Sequence, residues 1–271
     1  MTGAFDTHSH IQDPQLLANF DGIIDRARAA GLEGIAVLGY DPSSNQLALE
    51  LAARSPLLFP AVGFHPHEAD HVTPGMLAEL ESLARLPEVV AVGEIGLDAY
   101  RHHSTPANQR TLIDAQLEMA LRVGKPVSVH SRSAEDAIAV HLGPYAEKAR
   151  AAGLAIPGVM HCFGGTYDQA QQYLEMGFLI SVACSVTYPK NEVTARLAQG
   201  VPLESLVIET DSPYLPPQTR RGQLNEPAHV VAAARAIAAL RRDPLERVLD
   251  VTTRNAGRLF RLPVGATAVG G

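Results

Sequence analysis

Tryptophan is absent from this 271-residue chain, aromatic residues make up only 5 % of it, and lysines number three. Cysteine is nearly missing too: Cys162 and Cys184 stand at no spacing used by metal ribbons or redox pairs. They are read as a buried, reduced pair, which sets aside thiolate metal chemistry and a disulfide framework. No run of about 18 apolar residues occurs, so no membrane-spanning helix is expected. The opening MTGAF has no basic start leading into a long apolar stretch and does not read as a signal peptide. Positive charge is also short. The net charge of −7 argues against nucleic acid held on a broad basic surface. Bound divalent ions would add local charge that this sum omits. The expected compartment is the cytoplasm.

Apolar residues, by contrast, are plentiful at 46 %, enough for a large core. They alternate between short β-rich runs and amphipathic helical stretches. The strand candidates are FDTHSH (5–10), GIAVLGY (34–40), LLFPAVGFH (57–65), VVAVGEIG (89–96), PVSVH (126–130), PGVMHCF (157–163), FLISVAC (178–184) and SLVIET (205–210). Between the first two lies DPQLLANFDGIIDRARAAG, whose Leu16, Leu17, Phe20, Ile23, Ile24 and Ala27 share one helical face. Asp13 suits its cap, Pro14 its first turn and Gly31 its end. Thr73-Pro74 and Thr105-Pro106 repeat that start signal. HVVAAARAIAAL supplies a helix after the eighth strand. Eight such units predict a (β/α)8 TIM barrel, an eight-stranded parallel barrel with helices outside. A doubly wound open sheet is the alternative, but THSHIQDP replaces the glycine-rich turn that its first strand would need. One barrel over residues 1–261 is expected, with 262–271 as a mobile tail.

In FDTHSH, alternation on a strand sends Asp6, His8 and His10 to one face. Barrel enzymes react at the C-terminal ends of their strands. There the chain sets His8 and His10, His65, Glu94, His130, His161, and Glu209 with Asp211, so six of the eight strands equip one rim. Imidazoles and carboxylates without thiolates suit Zn, Mn, Mg, Co or Ni. Four histidines plus Glu94 and Asp211 exceed the needs of one tetrahedral ion and match two ions sharing a carboxylate.

DTHSH, GFHPH, GEIGLD, VHSR, HCFGG, ETDSPYL and RRGQLNEPAHV occur in an order that resembles the TatD-like metal-dependent deoxyribonucleases of the amidohydrolase superfamily. The likeness runs from about residue 4 to 260. It implies that His8, His10 and Asp211 hold one ion, His130 and His161 a second, and that Glu94 bridges them. It further implies a two-metal-activated hydroxide attacking phosphorus, with Asp211 orienting it and taking its proton and His65 contacting phosphate or moving a proton. Asp6 and Glu209 would orient the site. Arg132 is a candidate phosphate clamp, or else a surface ion pair. His67 could donate to another phosphate, or could be a helix-start histidine in water. Tyr214 offers a ring for base stacking, though packing beneath its loop is the favoured reading. Arg221 lies in the same loop, where substrate would enter, and Asn225 and Glu226 fix that loop. His71, His102, His103, His141 and His229 receive no role.

Ser133, where the family has an acidic residue after HSR, and Ala99, where it has an aromatic, are departures that bear on substrate preference. The expected substrate is DNA, single-stranded or at 3′ ends, cut as by a 3′-5′ exodeoxyribonuclease, with no protein partner evident. The alternative is an amidohydrolase acting on a small ester, amide or lactone. None of the three lysines stands at the end of strand four, so a carbamylated-lysine bridge is not expected.

Overall fold

The computed structural model describes residues 3–262. Eight parallel strands neighbour one another in chain order: β1 (Ala4–Ser9), β2 (Leu32–Leu38), β3 (Leu58–Val62), β4 (Ala91–Asp98), β5 (Val127–Arg132), β6 (Gly158–Met160), β7 (Leu179–Ala183) and β8 (Leu206–Glu209). Around them run α1 (Pro14–Leu17), α2 (Phe20–Ala29), α3 (Pro42–Ala52), α4 (Pro74–Ala84), α5 (Pro106–Val123), α6 (Glu135–Ala151), α7 (Tyr167–Glu175), α8 (Glu192–Gly200), α9 (Val230–Arg241) and α10 (Leu245–Phe260). This is the expected TIM barrel.

Side chains help to close the ring between β8 and β1. Ser9 and Ser212 form a single parallel bridge. Asp211 N–H donates to His8 O at 2.9 Å and His10 N–H to Ser212 O at 2.8 Å. Below them the Asp6 carboxylate accepts Thr210 N–H at 2.8 Å and Thr210 Oγ1–H at 2.6 Å. Asp6 thus serves the seam, and it falls in none of the side-chain groups spaced to hold a metal.

Helix starts follow the threonine-proline signals, with Thr73 and Thr105 hydroxyls accepting from Met76 and Asn108 N–H. The first helical stretch differs from expectation. Asn19 leaves helical geometry (φ −125°, ψ 32°) and splits it into α1 and α2, while Leu16, Phe20, Ile23, Ile24 and Ala27 still turn inward.

Among the described residues two α-helices, not one, follow the eighth strand. α10 closes the N-terminal end of the barrel, where Phe260 packs 5.8 Å from Phe5 and Phe5 stacks 5.5 Å from Phe59. Asn255 Nδ2 donates to Leu203 O and Leu206 O, anchoring the helix beneath β8. Among the described residues no helix is long and apolar enough to cross a membrane. The expected tail lies, after Leu262, outside the described residues.

Candidate metal centre

Parallel strands that all end at one mouth bring the chemistry together. Glu94 of β4 is 4 % exposed and sits at the middle of five imidazoles. Its carboxylate lies 3.4 Å from His8 Nε2, 3.4 Å from His10 Nε2, 3.0 Å from His130 Nδ1, 3.2 Å from His161 Nε2 and 3.6 Å from His65 Nε2. Asp211 reaches His10 Nε2 at 3.7 Å. The backbone makes room for this convergence. A Cβ on Gly63 would stand 2.6 Å from the Gly93 carbonyl carbon and 2.9 Å from Glu94 N, so β3 could not otherwise approach β4 here.

The second nitrogen of each ring decides what the first can do. His10 Nδ1 faces the Leu38 carbonyl at 2.9 Å, and a carbonyl only accepts, so Nδ1 carries the proton. His161 Nδ1 likewise faces Glu209 Oε1 at 3.2 Å, and Glu209 Oε2 is itself held by Ser181 Oγ–H at 2.6 Å. His130 Nε2 faces Asp98 Oδ2 at 3.4 Å. The inward nitrogens of these three rings therefore point bare lone pairs at a carboxylate. Acceptor against acceptor at such distances needs a cation between them, either a proton or a metal ion. Two ligands on one ion at about 2.0–2.2 Å from it stand roughly 3 Å apart, so the donor set fits.

Without an ion, protons fill that role. Burial works against charge on His161, yet Glu209 and Glu94 overcome it and lift its pKa well above 6.5. His10 and His130 are raised too, burial again opposing, with Glu94 prevailing at His10 and Asp98 together with Glu94 at His130. Burial holds Glu94 back, but the surrounding histidines pull it well below the ordinary carboxylate range. His8, buried and beside His161, drops to about 4. Asp211 rises to about 6 through burial.

His65 is of another kind. Its Nδ1 accepts His67 N–H at 3.2 Å. Burial keeps it neutral, with a pKa well below 6.5 despite Glu94. A neutral ring whose Nδ1 accepts must carry its proton on Nε2. The spacing of His65, Glu94 and His130 would admit a metal, but this tautomer makes His65 a donor aimed into the centre.

Such a centre at the mouth of a parallel barrel can be set beside known proteins. A family model described as TatD related DNase matches residues 5–261. The chain belongs to this family. It is 34 % identical over 259 residues, 95 % of this chain and 99 % of the relative, to the uncharacterized metal-dependent hydrolase YabD of Bacillus subtilis. It is 35 % identical over 264 residues, covering 95 % of this chain and 99 % of the other, to the 3'-5' ssDNA/RNA exonuclease TatD of Edwardsiella piscicida. The solved structure of YjjV, a TatD homolog from Escherichia coli K12, superposes with a TM-score of 0.89 at 32 % identity, covering 96 % of this chain and 98 % of that one. The chain is a metal-dependent hydrolase.

The TatD-type centre opens into a cleft of about 1080 Å³ lined by Tyr40, His67, Arg132, Tyr188 and Tyr214, among others. Among the described residues, four of the six non-glycine residues with positive φ, namely Ser133, Cys162, Asp211 and Leu215, lie along this cleft. Backbone strain is thus concentrated where the loops turn over the mouth.

His67 is not a free, water-facing histidine. It is the middle residue of a short 3-10 turn (Pro66–Glu68), and its Nε2 meets Asp98 Oδ2 at 2.9 Å. Asp98 therefore holds both His67 and His130, a role the sequence did not signal. Arg132 makes no surface ion pair among the described residues but lies over Tyr100, 4.2 Å from the ring centre. Tyr214 is 54 % exposed and faces the cleft, so the packing expectation is corrected. Arg221 covers Tyr188 at 4.6 Å. His103, given no role, in fact lines the cleft 4.5 Å from the His67 ring, because the loop after β4 folds back over the mouth. His141 pairs with Asp114 at 2.6 Å and His229 with Asn225 Oδ1 at 2.9 Å, both away from the centre. Asn225 also donates to Thr210 O and Leu215 O, and Arg26 holds Glu226 through paired bonds, which fixes the loop as expected.

Proposed function

We propose that this hydrolase is a DNA phosphodiesterase of the 3′-5′ exonuclease type, working with two divalent ions. The observation that carries this reading is Glu94, one carboxylate shared by two sets of imidazoles. His8, His10 and Asp211 would hold one ion and His130 and His161 the other, with Glu94 available to both. The thiol-free donor set suits Zn, Mn, Mg, Co or Ni. Ions held there would make water acidic enough to attack at neutral pH and would draw charge from the phosphoryl oxygens.

The chain's own groups do the rest. Asp211, at the edge of the cluster, orients the attacking water and receives its proton. His65 donates its Nε2 proton as a hydrogen bond to a phosphoryl or leaving oxygen. Asp98 and Glu209 keep His130 and His161 in the tautomers that leave the inward nitrogens bare. Arg132 takes a neighbouring phosphate, with Tyr214 and Arg221 on the loop after β8, while His67 keeps its Nε2 proton on Asp98 and serves to hold that carboxylate.

The substrate is single-stranded DNA or a 3′ end, as the name of the Edwardsiella piscicida relative supports. The free thiols of Cys162 and Cys184 favour the cytoplasm, and the functional unit is the barrel over residues 1–261.

The test is metal analysis of the purified protein with hydrolysis of 5′- and 3′-labelled DNA and RNA strands, before and after chelation. Loss of nucleotides from the 3′ end, abolished by chelation and restored by a single divalent metal, is expected. Turnover of a lactone or amide with no cleavage of any strand would overturn the reading.

A further inference from the structure

Large aromatic side chains are scarce in this protein, yet Tyr188 lines the cleft, Tyr100 stands exposed beside the cleft residues Arg101 and Arg132, and each of these two rings carries a guanidinium. Tyr100 is 59 % exposed, with the Arg132 guanidinium 4.2 Å from its ring centre and that of Arg101 further off at 5.7 Å. Tyr188 lines the cleft, and the Arg221 guanidinium lies 4.6 Å from its ring centre. The first pair belongs to the ends of β4 and β5, the second to the loops after β7 and β8. The metal-ligating cluster sits between them. Among the described residues, neither guanidinium forms an ion pair.

Both stacks are built rather than incidental. Asp98 Oδ1 accepts Tyr100 N–H at 2.8 Å and Arg101 N–H at 2.7 Å, while its other oxygen holds His130 and His67. One carboxylate thus fixes the position of Tyr100 relative to a ligand of the centre. On the other side, Tyr188 Oη donates to Pro216 O at 2.7 Å, and Gln218 N–H donates to Thr187 Oγ1 at 2.8 Å. These bonds tie the tyrosine to the loop that carries Arg221.

A guanidinium lying flat on a ring keeps its in-plane N–H groups free for phosphate oxygens. The part of the ring that stays exposed is left for a base, whatever its identity. We propose that the two tyrosine–guanidinium stacks, one on each side of the cluster, grip the nucleotides that flank the scissile phosphate of a single strand. The inference rests on the phosphodiesterase reading and deepens it: recognition requires bases, not a phosphate chain alone. An acidic protein can hold a strand this way because two localised contacts replace a basic surface.

The test compares a short oligothymidylate with a strand of equal length built from tetrahydrofuran abasic units. Wild type should show a KM at least about tenfold lower on the base-bearing strand, the scale of base–aromatic stacking. Tyr100→Ala and Tyr188→Ala should each erase most of that preference, with the loss in KM exceeding any loss in kcat. Tyr100→Phe, which keeps the ring, should restore it. Thermal unfolding of each variant checks that the barrel is intact. Alanine variants that keep the wild-type preference, or a wild type without one, would overturn the inference and leave the phosphodiesterase reading standing. A wild type that cleaves neither strand would remove both.

Discussion

Asp211 offers a test of the centre that does not depend on turnover. Its carboxyl is raised from an ordinary 3.8 to about 6, first by burial and then by Glu209 and Glu94, with His161 and His10 pulling the other way. The folded state therefore binds more protons than the unfolded chain between those two values, and the metal-free protein loses stability as pH rises through that window. At about 1.4 kcal/mol per pH unit, the cost above pH 6 approaches about 3 kcal/mol. This is a ceiling, because the side chain keeps 15 % of its surface in water. Asp211→Asn removes the titration and nearly preserves the shape. Urea unfolding of chelated protein from about pH 4 to about pH 8 should show the variant gaining on wild type through the acid range, then holding an advantage of about 1–3 kcal/mol. With saturating divalent metal the order should reverse, since wild type alone keeps the full linkage between binding and folding. A difference that stays flat with pH, or a variant weaker than wild type at neutral pH without metal, would refute this account.

Glu94→Gln should lower bound metal, read by elemental analysis, and reduce hydrolysis about a thousandfold or more while unfolding stays cooperative. Glu209→Ala removes the acceptor for His161 Nδ1 and should weaken metal affinity or activity about ten- to a hundredfold, with Glu209→Gln recovering part of the loss because its amide oxygen still accepts. Phe260→Ala, far from the mouth, should cost about 3–5 kcal/mol in denaturant unfolding yet leave turnover per folded molecule unchanged.

The barrel and the composition of its rim were legible because both follow from local periodicity. Alternation in FDTHSH fixed which side chains share a face, and parallel strands must deliver their ends to one mouth. The threonine-proline helix starts were equally plain. Contacts between loops were not legible. Nothing local to GLDAYRHH signals that Asp98 bonds two histidines and its own following amides, or that the same loop brings His103 into the cleft. Tyr214 looked like packing because an exposed ring is unfavourable in isolation, and only the cleft beside it changes that judgement. The donor role of His65 depends on a backbone N–H two residues ahead, a matter of turn geometry. The split of the first helix at Asn19 and the capping of the barrel floor by α10 are tertiary outcomes, since a helical stripe does not say which end of a barrel it will cover.

The seam between β1 and β8 has a consequence for biosynthesis. The bonds that close the cylinder, among Asp6, His8, His10, Thr210, Asp211 and Ser212, involve the same stretch that supplies three of the proposed ligands. A ribosome must therefore have released the chain past Asp211 before the earliest histidines meet that carboxylate as well as Glu94. No shorter nascent fragment can assemble the full ligand set, so hydrolytic capacity arrives only with the finished fold.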